Sequence, residues 1–195
     1  MFDNKDFSQP CENNKTPILT QLRELFANQS KVLEIGSGTG QHAAFFAPAL
    51  SHLTWQPTDI PDNHGSINAW VAESQCSNVL SPVEFFIGKD KWTFSGVDSV
   101  FSANTTHIMQ PHEAQLMMET IAVNLPKSGV FCQYGPFKID GNFTSDSNAQ
   151  FDQSLRQRGY GGIRDITELK SWAVPLTLDD MIQMPANNHL LVWRK

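Results

Sequence analysis

The feature that most narrows what this chain can fold into is a short apolar strand that runs into a glycine turn and then opens a helix, in Lys31 to His42, KVLEIGSGTGQH. Gly36, Gly38 and Gly40 let the backbone reverse sharply and approach a ligand closely, where a Cβ would stand in the way. A loop of this kind, between a strand and a helix, can cradle a nucleotide-like cofactor.

The rest of the chain repeats the strand–helix alternation, which predicts βα units around a mostly parallel sheet. TPILTQLRELFANQ places Ile18, Leu22, Leu25 and Phe26 on one helical face, with Pro17 suited to the first turn of an N-terminal helical segment within residues 1–30. After the strand KVLEI come the helix QHAAFFAPAL, strand LTWQPTD, helix SINAWVAESQ and strand PVEFFIG. VDSVFSANT reads as the fourth strand, PHEAQLMMETIAVNL as a helix, and VFCQYGPF as the fifth strand. SNAQFDQSLRQRG and IRDITELKSWA read as helices, and LTLDDMIQM with HLLVWRK as a hairpin joined by the turn residues PANN. The expected fold is therefore α/β and Rossmann-like, with a seven-stranded, mostly parallel sheet, helices on both faces and a C-terminal antiparallel hairpin. A sheet that ends this way matches class I methyltransferases, whereas dehydrogenases of the Rossmann type continue with parallel units.

With 195 residues, 40% of them hydrophobic and 17% charged, the chain fits one globular domain spanning 1–195 rather than a disordered segment. The net charge of −6 and the scattered basic residues argue against a protein that tracks nucleic acid. Cys11, Cys76 and Cys132 show no CxxC spacing, so neither a disulfide framework nor a zinc ribbon is expected. The polar N-terminus lacks a signal-peptide core, and no run approaches the roughly 18 apolar residues of a membrane span, so a soluble cytoplasmic protein is expected.

Two ligand classes compete for the glycine loop. A dinucleotide usually asks for G-x-G-x-x-G, and this chain has G-x-G-x-G followed by Gln41. Glu34, two residues before the first glycine, would repel a pyrophosphate. It would attract the ammonium of a methionine-type tail by about 1 to 4 kcal/mol at surface-like dielectric. S-adenosylmethionine carries that tail and no phosphate. Asp59 closes the second strand, where a carboxylate accepts from ribose hydroxyls in adenosyl ligands of either class. The residues expected to hold the cofactor are Glu34, Gly36, Ser37, Gly38, Thr39, Gly40, His42, Asp59 and Asn104.

ENNKTPIL, VLEIGSGTGQHAAFFA, LTWQPTD, ANTTHI, GPFKIDGNFTSDSNAQFDQSLRQR, GIRDI and MPANNHLLVW together resemble the methyltransferase-like protein 26 family, also labelled domain of unknown function 938. The first glycine motif is common to class I methyltransferases; SDSNAQFD and MPANN are far more specific to this family. The resemblance covers nearly the whole chain and implies a seven-stranded methyltransferase fold that binds S-adenosylmethionine, with no settled substrate. Two departures stand out. EFFIGKDKW has Phe86 where relatives tend to carry an acid for the adenine, with Asp90 an approximate substitute, and Asn13-Asn14 replaces an expected Arg-Asn, so that Asn14 alone remains.

Ligands of open α/β sheets lie beyond the carboxyl ends of the strands, which is expected to gather Glu34 to Gly40, Asp59, Asn104 to His107 and Tyr134 to Phe137 around one cleft. His107 is the candidate general base for an acceptor that must lose a proton, and a histidine merely packed at the start of the next helix is the equal alternative. Tyr134 is a candidate to orient the acceptor through its hydroxyl. Residues 135–152 read as a lid, with Asn142 and Asn148 as hydrogen-bonders and Phe137, Phe143 and Phe151 as apolar walls. Asn187 and Asn188 occupy the hairpin turn, where asparagine is favoured for its backbone alone, and the family motif makes them candidates to line the pocket. Arg164 either grips an acceptor carboxylate or phosphate or pairs with Asp165 or another acid. His107, His112 and Glu113 lack the spacing of a metal site, and none is expected. The leading reading is a methyltransferase acting on a small molecule. The alternatives are a non-catalytic protein that binds S-adenosylmethionine or its demethylated product and acts through a partner, and a nicotinamide-dependent oxidoreductase.

Overall fold

The computed structural model describes residues 5–195, so positions 1–4 of the expected N-terminal segment lie outside the described residues. The chain divides into two compact units, one running to Phe86 with Phe94–Phe101 added, the other comprising Ile87–Thr93 and Ser102–Lys195.

In the first unit, helix α1 spans Gln9–Leu25. It starts well before Pro17 because the signals for a start come earlier: the Ser8 hydroxyl accepts from the Cys11 N–H at 3.4 Å, and Pro10 occupies the first turn, where a missing N–H costs nothing. Pro17, expected at the first turn, lies inside the helix. Strand β1 (Lys31–Ile35), helix α2 (Gln41–Ala49) and strand β2 (Thr54–Asp59) follow as the βα pattern predicts. Helix α3 (Pro61–Ser74) starts earlier than the expected Ser66, because Pro61 occupies its first turn, where proline suits a helix start. β1 runs parallel to β2, from Lys31 opposite Thr54 to Ile35 opposite Thr58, and parallel to β4 (Ser99–Ala103), with Val32 opposite Ser99. β3 shrinks to Val83–Glu84, beside Thr58 and Asp59. The aromatic run that suggested a longer strand packs rather than pairs: the Phe85 ring meets Phe94 edge-on at 5.1 Å. The Phe46, Trp55 and Phe101 rings, all fully buried, meet at centroid distances of 5.5 to 5.9 Å and form the floor beneath the glycine loop.

The second unit holds α4 (Pro111–Asn124), β5 (Val130–Gly135), the short hairpin β6 (Lys138–Ile139) and β7 (Asn142–Phe143), α5 (Asp146–Gln157), α6 (Ile166–Trp172), β8 (Thr177–Met184) and β9 (Asn188–Arg194). β9 is antiparallel to β5, from Val130 opposite Arg194 to Gly135 opposite His189, and β8 is antiparallel to β9. The turn between β8 and β9 puts Ala186 and Asn187 in left-handed backbone, at φ 58° and 57°. The sheet has seven strands in the order β3-β2-β1-β4-β5-β9-β8, the α/β architecture with a terminal antiparallel hairpin that the sequence predicts. Residues 135–152, read as a lid, contain the β6–β7 hairpin and the start of α5.

Candidate functional site

Four backbone donors of the glycine loop are spent on protein acceptors. The N–H groups of Gly36 and Ser37 both donate to the Thr58 carbonyl, at 3.1 and 3.0 Å, and the Gly40 N–H donates to Ser37 O at 3.0 Å. The Gly38 N–H donates to Asp59 Oδ2 at 2.6 Å. Gly36, Gly38 and Gly40 have φ of 74°, 56° and 90°, a region where side chains are strained. Gly40 also meets α3 so closely that a Cβ would stand 2.6 Å from the Ile67 Cα. At Gly38 a Cβ would meet nothing within 4 Å, so this point of the loop faces open space.

Two carboxylates are bonded to the loop. Glu34 is buried on β1, and its Oε2 accepts from the Ser37 hydroxyl at 2.9 Å and the Trp55 indole at 3.0 Å. Burial pushes its pKa up to about 7, the two hydrogen bonds pull it back, and Asp59 adds to the rise. The sequence places Glu34 at the mouth of the loop; the structure sets it below, bracing Ser37 against the aromatic floor. Asp59 is tied more heavily than expected, because Oδ1 also accepts from the Ile60 N–H at 2.7 Å and from Asn63 at 2.8 Å. With about four acceptor positions on a carboxylate, three are filled by protein.

His42, expected at the cofactor, and Asn14, expected at the substrate, are partners of each other. His42 Nε2 and Asn14 Oδ1 lie 2.7 Å apart, and the imidazole stacks on Phe46 at 5.1 Å. Both are buried, which lowers the His42 pKa to about 4, with Lys15 adding to the effect. Their pairing docks α1 on α2 beside the loop. The N-terminal segment adds to this: the Ser8 N–H donates to Gln41 and the Asp6 N–H to Ser66, whose hydroxyl donates to the Thr39 carbonyl at 2.8 Å.

In the second unit, the carboxyl ends of β4 and β5 gather another set. The Asn104 N–H donates to Tyr134 O at 2.9 Å, with Asn104 in left-handed backbone at φ 58°. A Cβ on Gly135 would lie 3.8 Å from His107 Nδ1, 3.9 Å from Asn104 Oδ1 and 3.9 Å from the Phe137 ring. Two polar atoms and an aromatic edge thus gather around Gly135, at ordinary contact distance from where a Cβ would stand. His107 is buried against Phe151, ring centroids 5.3 Å apart. Burial, helped by Arg158, takes its pKa to about 4, so it is neutral at physiological pH rather than titrating there as its type suggests. Tyr134 and Phe137 are buried, and Phe151 is exposed.

The asparagines of the two family-specific segments meet. Asn148 donates to Thr144 Oγ1 at 2.8 Å and to the Asn187 carbonyl at 2.9 Å, and Asn187 donates to Ser147 at 3.2 Å. Asn188 donates to Pro185 O at 3.2 Å, and Asn142, exposed, to Asp140 O at 3.0 Å. These contacts fix the hairpin tip against the start of α5. Arg164 is buried and does not pair with Asp165, whose carboxylate accepts from the Thr167 N–H at 2.8 Å and the Gly141 N–H at 2.6 Å. His189 is a polar residue that the sequence reading passed over. Its Nδ1 is buried without a partner, and it sits opposite Gly135. Only strand register reveals that placement, since its neighbours in sequence are ordinary turn and strand residues. Among the described residues no group of three or more His, Cys, Asp or Glu is placed to hold a metal ion, and no helix is long and apolar enough to cross a membrane.

This fold is the class I methyltransferase fold. An O-methyltransferase family 2 protein from Planctomyces limnophilus, solved with apigenin, matches with a TM-score of 0.80 at 16% identity over 95% of this chain and 57% of its own. An O-methyltransferase family protein from Burkholderia thailandensis gives 0.79 at 17% over 93% and 56%. Human N-acetylserotonin methyltransferase, solved with S-adenosylmethionine, gives 0.69 at 14% over 93% and 55%. The chain therefore spans little more than half the length of these proteins. It belongs to the family described as protein of unknown function (DUF938), whose profile matches residues 5–195.

Proposed function

We propose that this chain is an S-adenosylmethionine-dependent methyltransferase acting on a small-molecule acceptor. The observation that carries the reading is the fate of the loop amides. A pyrophosphate needs free N–H groups at the head of the helix. In the loop that leads into α2 the N–H groups of Gly36, Ser37, Gly38 and Gly40 are taken by protein acceptors, which leaves fewer donors for a pyrophosphate, and the carboxylates of Glu34 and Asp59 are bonded to the same loop. A phosphate-free adenosyl ligand with an ammonium on its tail suits that donor set. Glu34, held near the midpoint of its titration, stays ionised next to such a cation, and Asp59 keeps one acceptor position for a ribose hydroxyl. Bound there, the group supplies an electrophilic methyl on a sulfonium. The structural likeness to an O-methyltransferase family protein and to N-acetylserotonin methyltransferase, and the resemblance to the methyltransferase-like protein 26 family, support the same class.

What the second unit offers an acceptor is the pair of polar side chains grouped around Gly135. His107, a neutral imidazole, can accept a hydrogen bond from an acceptor O–H or N–H and take its proton; Asn104 Oδ1 can hold a second donor. Positioning supplies much of the rate of a methyl displacement, so these groups need only orient the nucleophile. The test is incubation of the protein and S-adenosylmethionine with fractionated small-molecule extract, read by mass spectrometry. S-adenosylhomocysteine appearing together with an acceptor one CH2 heavier, and neither with Asp59→Ala, supports the enzyme. Tight cofactor binding without product in any fraction overturns catalysis and leaves the non-catalytic binder.

A further inference from the structure

Arg164 carries a buried positive charge that forms no ion pair among the described residues, with Glu168 and Asp152 acting on it only through space. It is 5% exposed, in the loop between α5 and α6. Its Nε donates to the Gly162 carbonyl at 3.2 Å and its Nη2 to the Gly161 carbonyl at 2.5 Å. No carboxylate lies within ion-pair distance of it among the described residues. Three acids are close enough to be candidates, and each is committed elsewhere. Asp152 Oδ1 accepts from the Ile163 N–H at 2.7 Å and its Oδ2 from Arg156 at 2.8 Å. Asp165 caps α6 and holds Gly141, and Glu168 closes the same cap by accepting from the Asp165 N–H at 3.0 Å.

Burying a guanidinium without a counter-ion is costly, and carbonyl dipoles offset only part of it. Nη1 is nevertheless not sealed in, since His189 Nδ1 is the one fully buried side-chain nitrogen or oxygen without a partner among the described residues. Nη1 and the second hydrogen of Nη2 leave a two-pronged edge of the kind that grips carboxylate or phosphate. The loop that presents this edge is stitched to the chain after β4. The Gly162 N–H donates to the His107 carbonyl at 3.0 Å, and a Cβ on Gly161 would stand 1.8 Å from the Met109 carbonyl. The guanidinium, bonded to the carbonyls of both glycines, lies beside the segment that carries His107.

We propose that Arg164 anchors an anionic group, carboxylate or phosphate, on the methyl acceptor, which makes the substrate a small organic anion. The proposal rests on the methyltransferase reading for the word acceptor, and on the structure alone for the anion. The experiment follows the arginine side-chain 15N signals of the protein, with and without saturating S-adenosylhomocysteine, during titration with benzoate or with inorganic phosphate, and with chloride as the ionic-strength control. The Arg164 signal is identified by its loss in Arg164→Lys. A saturable shift with benzoate or phosphate beyond that with chloride is expected, the arm that saturates naming the anion. Arg164→Gln should weaken that probe about tenfold or more, with S-adenosylhomocysteine affinity unchanged. If the glutamine variant does not fold, Arg164→Lys, which keeps the charge and loses the fork, should still bind the anion measurably more weakly. An Arg164 signal that follows chloride alone, or a folded variant that binds the probe as tightly as the native protein, overturns the proposal. Failure of S-adenosylhomocysteine to bind counts against the cofactor reading, while the titration of the ligand-free protein still decides Arg164.

Discussion

Adding one methyl group to the glycine loop at two positions, Gly40 and Gly38, should separate its structural from its ligand-facing side. Gly40→Ala drives a Cβ to 2.6 Å from the Ile67 Cα and 3.2 Å from its Cβ, at φ +90°. Both clashes involve backbone or a branched carbon that cannot swing aside. Overpacking of this sort costs about 1–3 kcal/mol, and the left-handed strain adds about 1–3 kcal/mol. A combined loss of about 2–6 kcal/mol is a large share of the roughly 5–15 kcal/mol that holds a domain folded. Gly38→Ala meets nothing within 4 Å and carries only the strain of φ +56°, about 1–2 kcal/mol. Urea unfolding followed by circular dichroism, with thermal midpoints alongside, reads both. At about 2–4 °C per kcal/mol for a chain of this size, Gly40→Ala should drop the midpoint by roughly 5–20 °C and Gly38→Ala by a few degrees. In calorimetry the Gly38 variant, though folded, should lose about tenfold or more in S-adenosylhomocysteine affinity, about 1.4 kcal/mol. Equal destabilisation by the two alanines, or native affinity in Gly38→Ala, refutes the reasoning.

Other expectations follow from buried polar groups. The Glu34 pKa is raised to about 7 in the folded chain, above its unfolded value, so its contribution is fully present below the unfolded pKa and is lost as pH rises toward and through 7. Glu34→Gln should remove a pH-dependent loss of about 3 kcal/mol, measured by urea unfolding from pH 4 to 8; an unchanged slope would assign that loss elsewhere. Asn14→Ala strands His42 Nε2 in the core and should cost about 1–3 kcal/mol, seen in the same assay; a neutral result would show that the pair contributes nothing. His107→Ala should leave cofactor affinity intact and reduce methyl transfer by about 10²-fold or more. With a folded pKa of about 4, His107 should also put no acid limb in the rate between pH 5 and 8, and a limb near 6.5 that vanishes in the variant would contradict its buried, neutral state.

Where a signal is local, the sequence was readable. The glycine loop marks β1 and the start of α2 to the residue, and PANN between two extended runs marks the hairpin, because turn chemistry and strand pattern are encoded within a few neighbours. PVEFFIG misled for the opposite reason: its aromatic residues favour a strand, yet a ring partner at Phe94 outcompetes the ladder. Pro17 misled because proline suits a first turn, while Ser8 and Pro10 supply a better start upstream. The candidate site was legible as a set of residues and not as a set of contacts. That Asn14 would hold His42, that Asn148 would hold Asn187, and that Glu34 would take the Trp55 indole depends on pairs 21 to 39 residues apart in the chain, which only the fold brings together. Burial is equally invisible in sequence, and it is what makes His107 neutral; so is the bonding of Arg164 to carbonyls rather than to a carboxylate.

The most direct test of the central claim is calorimetric titration of the protein with S-adenosylmethionine, S-adenosylhomocysteine and NAD in parallel, repeated with Asp59→Ala. The loop, with the amides of Gly36, Ser37, Gly38 and Gly40 already bonded to protein acceptors, should bind both sulfur ligands and not NAD, and should lose both in the variant. Binding of NAD alone, or of none of the three, would contradict the account.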